Sequence, residues 1–346
     1  MSLASDVGVL LINLGTPDAP TPAATRRYLA EFLSDPRVID LPAPLRWLLL
    51  HGVILRTRPR RSAEAYAQIW REDGSPLLVH SLALARGVER ELAGAAPVAL
   101  AMRYGAPSIA DGLDALRARG ARRFVLIPLF PQHAEATTGS ALAAARERLG
   151  PDERAVAVEP FFAEPEFAQA WRECAGERLR AFAPDHVLLS YHGLPERQVL
   201  RADATGARCL ATPGCCTASD AGARAGCYRA QCFATTTHLA RALALAPDRH
   251  STSFQSRLGR ARWIEPHTDA ELPALAARGV RRLAVLCPAF VSDCLETLEE
   301  IGIRAAAQWR ALGGEAFELV PCPNATPALA RGVAAWSARA AASLDD

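Results

Sequence analysis

Short uninterrupted apolar runs alternate along this chain with stretches in which apolar and charged positions recur at helical spacing. Val7 to Leu14 is the first such run, stopped at Gly15-Thr-Pro, and without period-two alternation it predicts a strand covered on both faces. Thr21 to Leu33 has the helical period and opens on a Thr-Pro pair that suits a helix start. The same grammar predicts a helix over 81–92, a strand over 98–102, a helix over 109–119, a strand over 124–129 and a helix from Ser140. A long helix is expected over 161–183. Strands at 187–189, 252–255, 283–287 and 317–320 then alternate with a helix over 271–278 and another from about Ser292. Such alternation predicts an α/β fold with parallel sheets flanked by helices.

The chain opens the same unit twice. Gly8-Val-Leu-Leu-Ile-Asn-Leu-Gly-Thr-Pro-Asp18 aligns without a gap on His186-Val-Leu-Leu-Ser-Tyr-His-Gly-Leu-Pro-Glu196, setting Leu14 opposite His192 and Gly15 opposite Gly193. Leu116 to Pro128 likewise matches Leu275 to Cys287, each a helix end, a glycine stop, a basic pair and a strand. A repeat longer than about 50 residues means similar domains rather than a solenoid. Two Rossmann-like domains are expected, over 1–160 and 161–346.

Composition narrows the class. With 346 residues, half of them hydrophobic, and a formal net charge of +2, nothing points to nucleic acid or to bulk disorder. The most apolar segment, 41–55, is shorter than the roughly 20 residues of a membrane span, and its uniform apolarity is that of core. No basic region precedes the first apolar run, so a cytoplasmic protein is expected, with its cysteines as thiols or metal ligands. Five of the nine, Cys209, Cys215, Cys216, Cys227 and Cys232, crowd into an insert spanning 201–237. Thiolates at that density call for a [2Fe-2S] cluster or Zn2+, although the spacing leaves a labile disulfide open as well. Four of the five suffice for either metal group.

Several polar residues fall where chemistry is done. His192 ends a strand, the place where α/β sheets bind ligands, and an imidazole there serves as base, as metal ligand or simply as packing under a loop. If a helix starts near Ser292, Asp293, Glu296 and Glu300 share one face as an acidic track, although Asp293 also suits an N-cap with Glu296 as its capping-box partner. His133 and Glu135 follow another strand, in a polar run that helix capping also explains. Arg56, Arg58, Arg60 and Arg61 form a basic cluster suited to carboxylates.

Leu11-Ile-Asn-Leu-Gly-Thr-Pro17, Ser190-Tyr-His-Gly-Leu-Pro195, Ser253-Phe-Gln-Ser-Arg257 and Asp293-Cys-Leu-Glu-Thr-Leu-Glu-Glu-Ile301, in that order, resemble the motifs of ferrochelatases, and the likeness runs from about residue 7 to about 330. The resemblance implies a chelatase-like pair of domains with a porphyrin cleft between them, and insertion of Fe2+ into protoporphyrin IX at the end of haem synthesis. It implies His192 and Glu296 as catalytic and iron-binding groups, Asp293 and Glu300 as the acidic track, and Leu14, Arg58 and Tyr191 as porphyrin contacts. Leucine at position 14 favours protoporphyrin over coproporphyrin. Segment 41–55 would form an apolar lip that can lean on a membrane, and the cysteine-rich insert resembles that of bacterial relatives carrying a [2Fe-2S] cluster. A sister chelatase for another metal or tetrapyrrole, and a non-catalytic porphyrin or haem carrier, are the competing expectations.

Overall fold

The computed structural model describes residues 6–203, 205–212, 214–217, 226–259 and 261–344. It forms two units, one of residues 1–130, 134–159 and 324–346, the other of 131–133 and 160–323. The units divide near residue 160, and helix Pro327–Ala342, expected in the domain 161–346, packs in the first unit against helix Pro76–Glu91 and the third strand. Gly87 sits at that helix crossing, where a Cβ would lie 3.2 Å from the Ala330 Cβ.

In the first unit β1 (Val7–Gly15) lies between β2 (Val98–Tyr104) and β3 (Arg123–Pro128), with β4 (Arg154–Ala157) outside β3 and all strands parallel. Every residue of β1 except Leu14 is buried, which is why the run reads as continuous rather than alternating. One core face joins Leu10, Ile12, Leu126 and Phe124 to Leu113 and Leu116 of helix Ile109–Ala118, whose start is fixed by a Ser108–Asp111 capping box. Four-residue β4, half-buried and at the sheet edge, gave no sequence signal.

The second unit repeats this order: β5 (His186–His192) lies between β6 (His250–Gln255) and β7 (Arg282–Leu286), with β8 (Ala316–Leu319) outermost, again all parallel. The paired glycines of the sequence repeat have one physical cause. A Cβ on Gly15, whose φ is +118°, would run into the Tyr104 carbonyl, and one on Gly193 would lie 2.7 Å from the Gln255 carbonyl oxygen. In each unit the central strand leaves the sheet under the last carbonyl of its neighbour, where only glycine fits.

Each unit also widens the helix after its third strand into a π turn, Glu135–Gly139 in the first and Glu296–Ala305 in the second. The regular α-helix expected from Ser292 is therefore corrected: the segment winds with i→i+5 bonds, a geometry concentrated at functional sites. Segment 43–54 is helical, and it is not core. Trp47 is 63 % exposed, with Leu45, Leu48 and Val53 exposed beside it, while Leu50 and Leu55 anchor it among Tyr28, Leu29, Leu33 and Tyr104. No helix among the described residues is long and apolar enough to cross a membrane.

Candidate active site

His192 is the last residue of β5, in register with Gln255 of β6, and is half-buried. Its Nδ1 lies 2.6 Å from the Gly193 carbonyl oxygen. A carbonyl only accepts, so Nδ1 donates here, and in the neutral imidazole Nε2 is the nitrogen with the lone pair. The His192 carbonyl in turn accepts from the Tyr228 hydroxyl at 2.7 Å, and the edge of the imidazole meets Phe290, ring centroids 6.4 Å apart. The residue is thus held from its backbone and its ring while one nitrogen stays available.

The three expected carboxylates differ in kind. Asp293 is buried ahead of the π-helix, its Oδ1 accepting from the Thr297 hydroxyl at 3.1 Å and from the Cys322 amide at 3.2 Å. It anchors the helix start rather than sharing a regular α-helical face with the other two. Glu300 is half-buried and accepts from the Ser256 amide at 2.8 Å and the Ser256 hydroxyl at 2.5 Å, holding Ser256 in the left-handed region at φ +68°. Glu296 is half-buried, and its main-chain carbonyl accepts from the Gln255 side-chain amide at 2.8 Å. The N-cap position falls at Leu295 rather than Asp293, whose Oδ1 takes the Thr297 hydroxyl.

Gln255 is the residue the sequence reading passed over. Its Oε1 accepts from the Ser190 hydroxyl at 2.7 Å and from the Cys287 thiol at 3.7 Å, which fixes the amide so that Nε2 points at Glu296. Ser190 is bonded onward to Thr268 and Thr268 to Ser253, each at 2.8 Å, so a buried polar chain runs from the sheet to the π-helix. The available signal was the motif Ser253 to Arg257, whose polar residues interrupt an otherwise apolar strand pattern. Burial pushes the Cys174 thiol up to about 12 and those of Cys287, Cys294 and Cys322 well above the ordinary range, so the thiols around this helix stay protonated at neutral pH.

Of the expected porphyrin contacts, Tyr191 is corrected by the structure. It is fully buried with its hydroxyl 2.9 Å from Thr236, so its ring supports β5 from inside the unit. Leu14, in the first unit, is half-buried at the carboxyl end of β1 and leans on the cluster of Tyr28, Leu29 and Leu50. Arg58 is half-buried on helix Leu55–Ile69, directly after the exposed apolar segment. His133 donates its amide to the Gln231 side chain at 2.6 Å, and Glu135 is exposed with its carboxylate folded over Gly139. The first unit also holds a buried network the sequence did not announce. Burial works against the Asp35 carboxylate, yet bonds from Ser140, the Arg37 amide and Tyr104, with the Arg103 guanidinium, outweigh it and keep its pKa below the ordinary value.

All five clustered cysteines are described, although residues 204, 213 and 218–225 of the insert lie outside the described residues. The sulfurs of Cys215 and Cys216 are 3.6 Å apart. Arg229 donates to the Cys216 sulfur at 2.9 Å. A hydrogen bond between Cys216 and Cys227 raises the pKa of the first and lowers that of the second, and the charges of Cys215 and Cys216 are felt at Cys209, whose thiol burial pushes up to about 11. Cys232 stands apart, fully buried and bonded to Tyr228. Among the described residues no three His, Cys, Asp or Glu side chains converge as they would around a single ion.

Two parallel sheets of matching strand order, a histidine at a strand end and carboxylates on a π-helix define the class, and solved structures share the fold. SirB from Bacillus subtilis with Fe3+ superposes with a TM-score of 0.52 at 12 % identity, covering 98 % of this chain and 97 % of that one. The sirohydrochlorin chelatase SirB from B. subtilis subspecies spizizenii, in complex with cobalt, gives a TM-score of 0.51 at 13 % identity over 98 % of this chain and 96 % of that one. The fold is therefore chelatase-like. In sequence, ferrochelatases from Azotobacter vinelandii and Coxiella burnetii are 50 % and 47 % identical, each over 95 % of this chain and over 98 % and 92 % of their own lengths. The ferrochelatase family model matches residues 6–341, and the chain belongs to that family of lyases, which insert iron into protoporphyrin for haem biosynthesis.

Proposed function

We propose that this chain inserts Fe2+ into protoporphyrin IX, with His192 as the proton acceptor and Glu296 and Glu300 as the carboxylates that receive the metal. The reaction removes two pyrrole protons from the macrocycle as its four nitrogens take the ion, so it needs a neutral base and a route for cations. The observation that carries the assignment is the Nδ1 bond of His192 to the Gly193 carbonyl, which selects the tautomer whose neutral form accepts at Nε2. Glu296 and Glu300, both half-buried and a turn apart on the π-helix, supply negative charge for the iron and for departing protons. Leu14 and Arg58 contact the porphyrin, Leu14 through apolar area and Arg58 through a propionate. The exposed Leu45, Trp47, Leu48 and Val53 form an apolar lip that leans on a membrane surface.

Cys209, Cys215, Cys216 and Cys227 are the proposed ligands of a [2Fe-2S] cluster, with Cys232 left over. Two thiolates about 2.3 Å from one tetrahedral metal lie roughly 3.8 Å apart, close to the Cys215–Cys216 separation. A cluster asks only two protein sulfurs of each iron, whereas Zn2+ asks three or four to converge, and no such convergence occurs among the described residues. When bound, the cluster supplies a one-electron redox centre; the thiols themselves fasten the insert to the residues beside His192.

The experiment is metallation by anaerobically purified protein, with Fe2+ and protoporphyrin IX added while the porphyrin bands are followed. His192→Ala should lower kcat by about 10²- to 10⁴-fold, the range general-base catalysis covers, with porphyrin affinity nearly unchanged. Undiminished turnover in His192→Ala would sink the base assignment, and binding without metallation in the unaltered chain would make it a carrier. Iron and acid-labile sulfide in the purified protein, lost in Cys227→Ser, test the cluster.

A further inference from the structure

The residue after Cys227, the last of the four proposed cluster ligands, is also the residue that holds His192. Cys227 is the N-cap of helix Tyr228–Ala242, and the next side chain, Tyr228, is buried with its hydroxyl donating to the His192 carbonyl at 2.7 Å. The fully buried Cys232 thiol lies beside the same hydroxyl, within hydrogen-bond reach. Arg229 ties the opposite end of the thiol group into the unit: it donates to the Cys216 sulfur at 2.9 Å and, through Nε and Nη2, to the Glu265 carbonyl at 3.2 and 2.9 Å. Tyr228 thus connects the cysteine group to His192, while Arg229 fastens that group to Glu265.

We infer that Tyr228 is a positioning residue for His192, through which the condition of the cysteine group sets the orientation of the imidazole. The physical path is short. A change at Cys227, the N-cap residue, moves the first turn of the helix; the Tyr228 hydroxyl rides on that turn; and its bond ends on the carbonyl of the residue whose ring nitrogen takes the proton. His192 has little slack to absorb such a movement, because its Nδ1 is bonded to Gly193 and Gly193 is pressed against the Gln255 carbonyl. The inference rests on His192 being the proton acceptor, and it holds for any state of the thiols that displaces Cys227: ligation, oxidation or loss of a ligated group.

The test is a double-mutant cycle on the full chain with a spectroscopic reporter. Tyr228→Phe keeps the ring and removes only the hydroxyl, so kcat should fall about three- to tenfold at unchanged KM, the size of one neutral hydrogen bond. Cys227→Ser should lower kcat in the Tyr228 background and add little to Tyr228→Phe, because the link is already cut. A 13C label on the His192 carbonyl should shift on Cys227→Ser when Tyr228 is present and stay in place when it is phenylalanine. Equal factors for Cys227→Ser in both backgrounds, or a carbonyl signal blind to Tyr228→Phe, would overturn the inference. The carbonyl signal reports the link even if His192→Ala retains turnover, and iron and sulfide content of the same samples judges the cluster separately, so the three claims fail independently.

Discussion

At the scale of single residues the site depends on side chains that are buried and fully bonded rather than on exposed ones. Gln255 is the clearest case, since one amide serves the main chain of Glu296, the Ser190 hydroxyl and the Cys287 thiol. Gln255→Leu keeps the approximate volume, removes the bond to the Glu296 carbonyl and leaves the Ser190 hydroxyl with Thr268 alone. The expected loss of unfolding free energy in urea is about 1–3 kcal/mol, the size of two hydrogen bonds, with a fall in kcat larger than any change in KM. His186, at the opposite end of β5, sets a pH dependence instead. Burial, followed by the charges of Arg278 and His250, lowers its pKa from 6.5 to about 4, while Nε2 bonds Ser251 at 2.8 Å. The unfolded chain therefore binds a proton that the folded chain refuses between those values. Stability should be full above pH 6.5 and decline as the pH falls toward 4, and His186→Asn should flatten that part of a thermal-midpoint profile. Sequence made His192 legible because a strand end can be read from an apolar run meeting Gly and Pro. It left Gln255 unread because the group that gives Gln255 its purpose lies on another element.

At the scale of elements, both units rest on a glycine under a neighbouring carbonyl and on a π turn after the third strand. Gly193→Ala places a methyl 2.7 Å from the Gln255 oxygen and 3.2 Å from the Trp263 ring, so β5 or β6 must shift at its carboxyl end. The expected cost is about 1–3 kcal/mol in a denaturant titration, typical of overpacking, together with loss of metallation because His192 and Gln255 move apart. A variant with unaltered turnover would show that the close approach is not needed for the site. Six strands were legible to within two residues and β5 fell three short at its carboxyl end, since runs covered on both faces have no other reading in an alternating α/β chain, whereas half-buried β4 was not legible. The π-helix was not legible, because a carboxylate pattern fitted to a 3.6-residue period carries no record of which carbonyl each amide will choose. Helix Pro76–Glu91 likewise begins five residues ahead of the apolar pattern that announced it, at a proline suited to a first turn.

At the scale of the whole molecule the duplication is visible in the strand orders β2-β1-β3-β4 and β6-β5-β7-β8, and the departures from it are where the units specialise. The first unit adds the apolar segment 43–54 and takes back the C-terminal helix; the second adds the cysteine insert. The exposed segment carries a prediction at this scale. The full chain should co-sediment with phospholipid vesicles, and Trp47→Asp with Leu48→Asp should abolish that while leaving metallation of detergent-dispersed porphyrin intact. Failure of the unaltered chain to co-sediment would leave the lip to the porphyrin alone.

The sequence by itself determined the α/β class, the repeat, the strand that ends at His192, the acidic stretch at Glu296 and Glu300 and the crowding of thiols, because each is written in local pattern or spacing. Tertiary structure alone decided that Asp293 and Tyr191 face inward, that segment 43–54 faces outward, that helix Pro327–Ala342 returns to the first unit, and that Gln255 and Tyr228 grip the main chain of Glu296 and His192. The physical reason is the same in each case. Whether an apolar or polar side chain is buried, and which partner satisfies its donors and acceptors, is settled by groups distant in the chain, whose approach no local periodicity records.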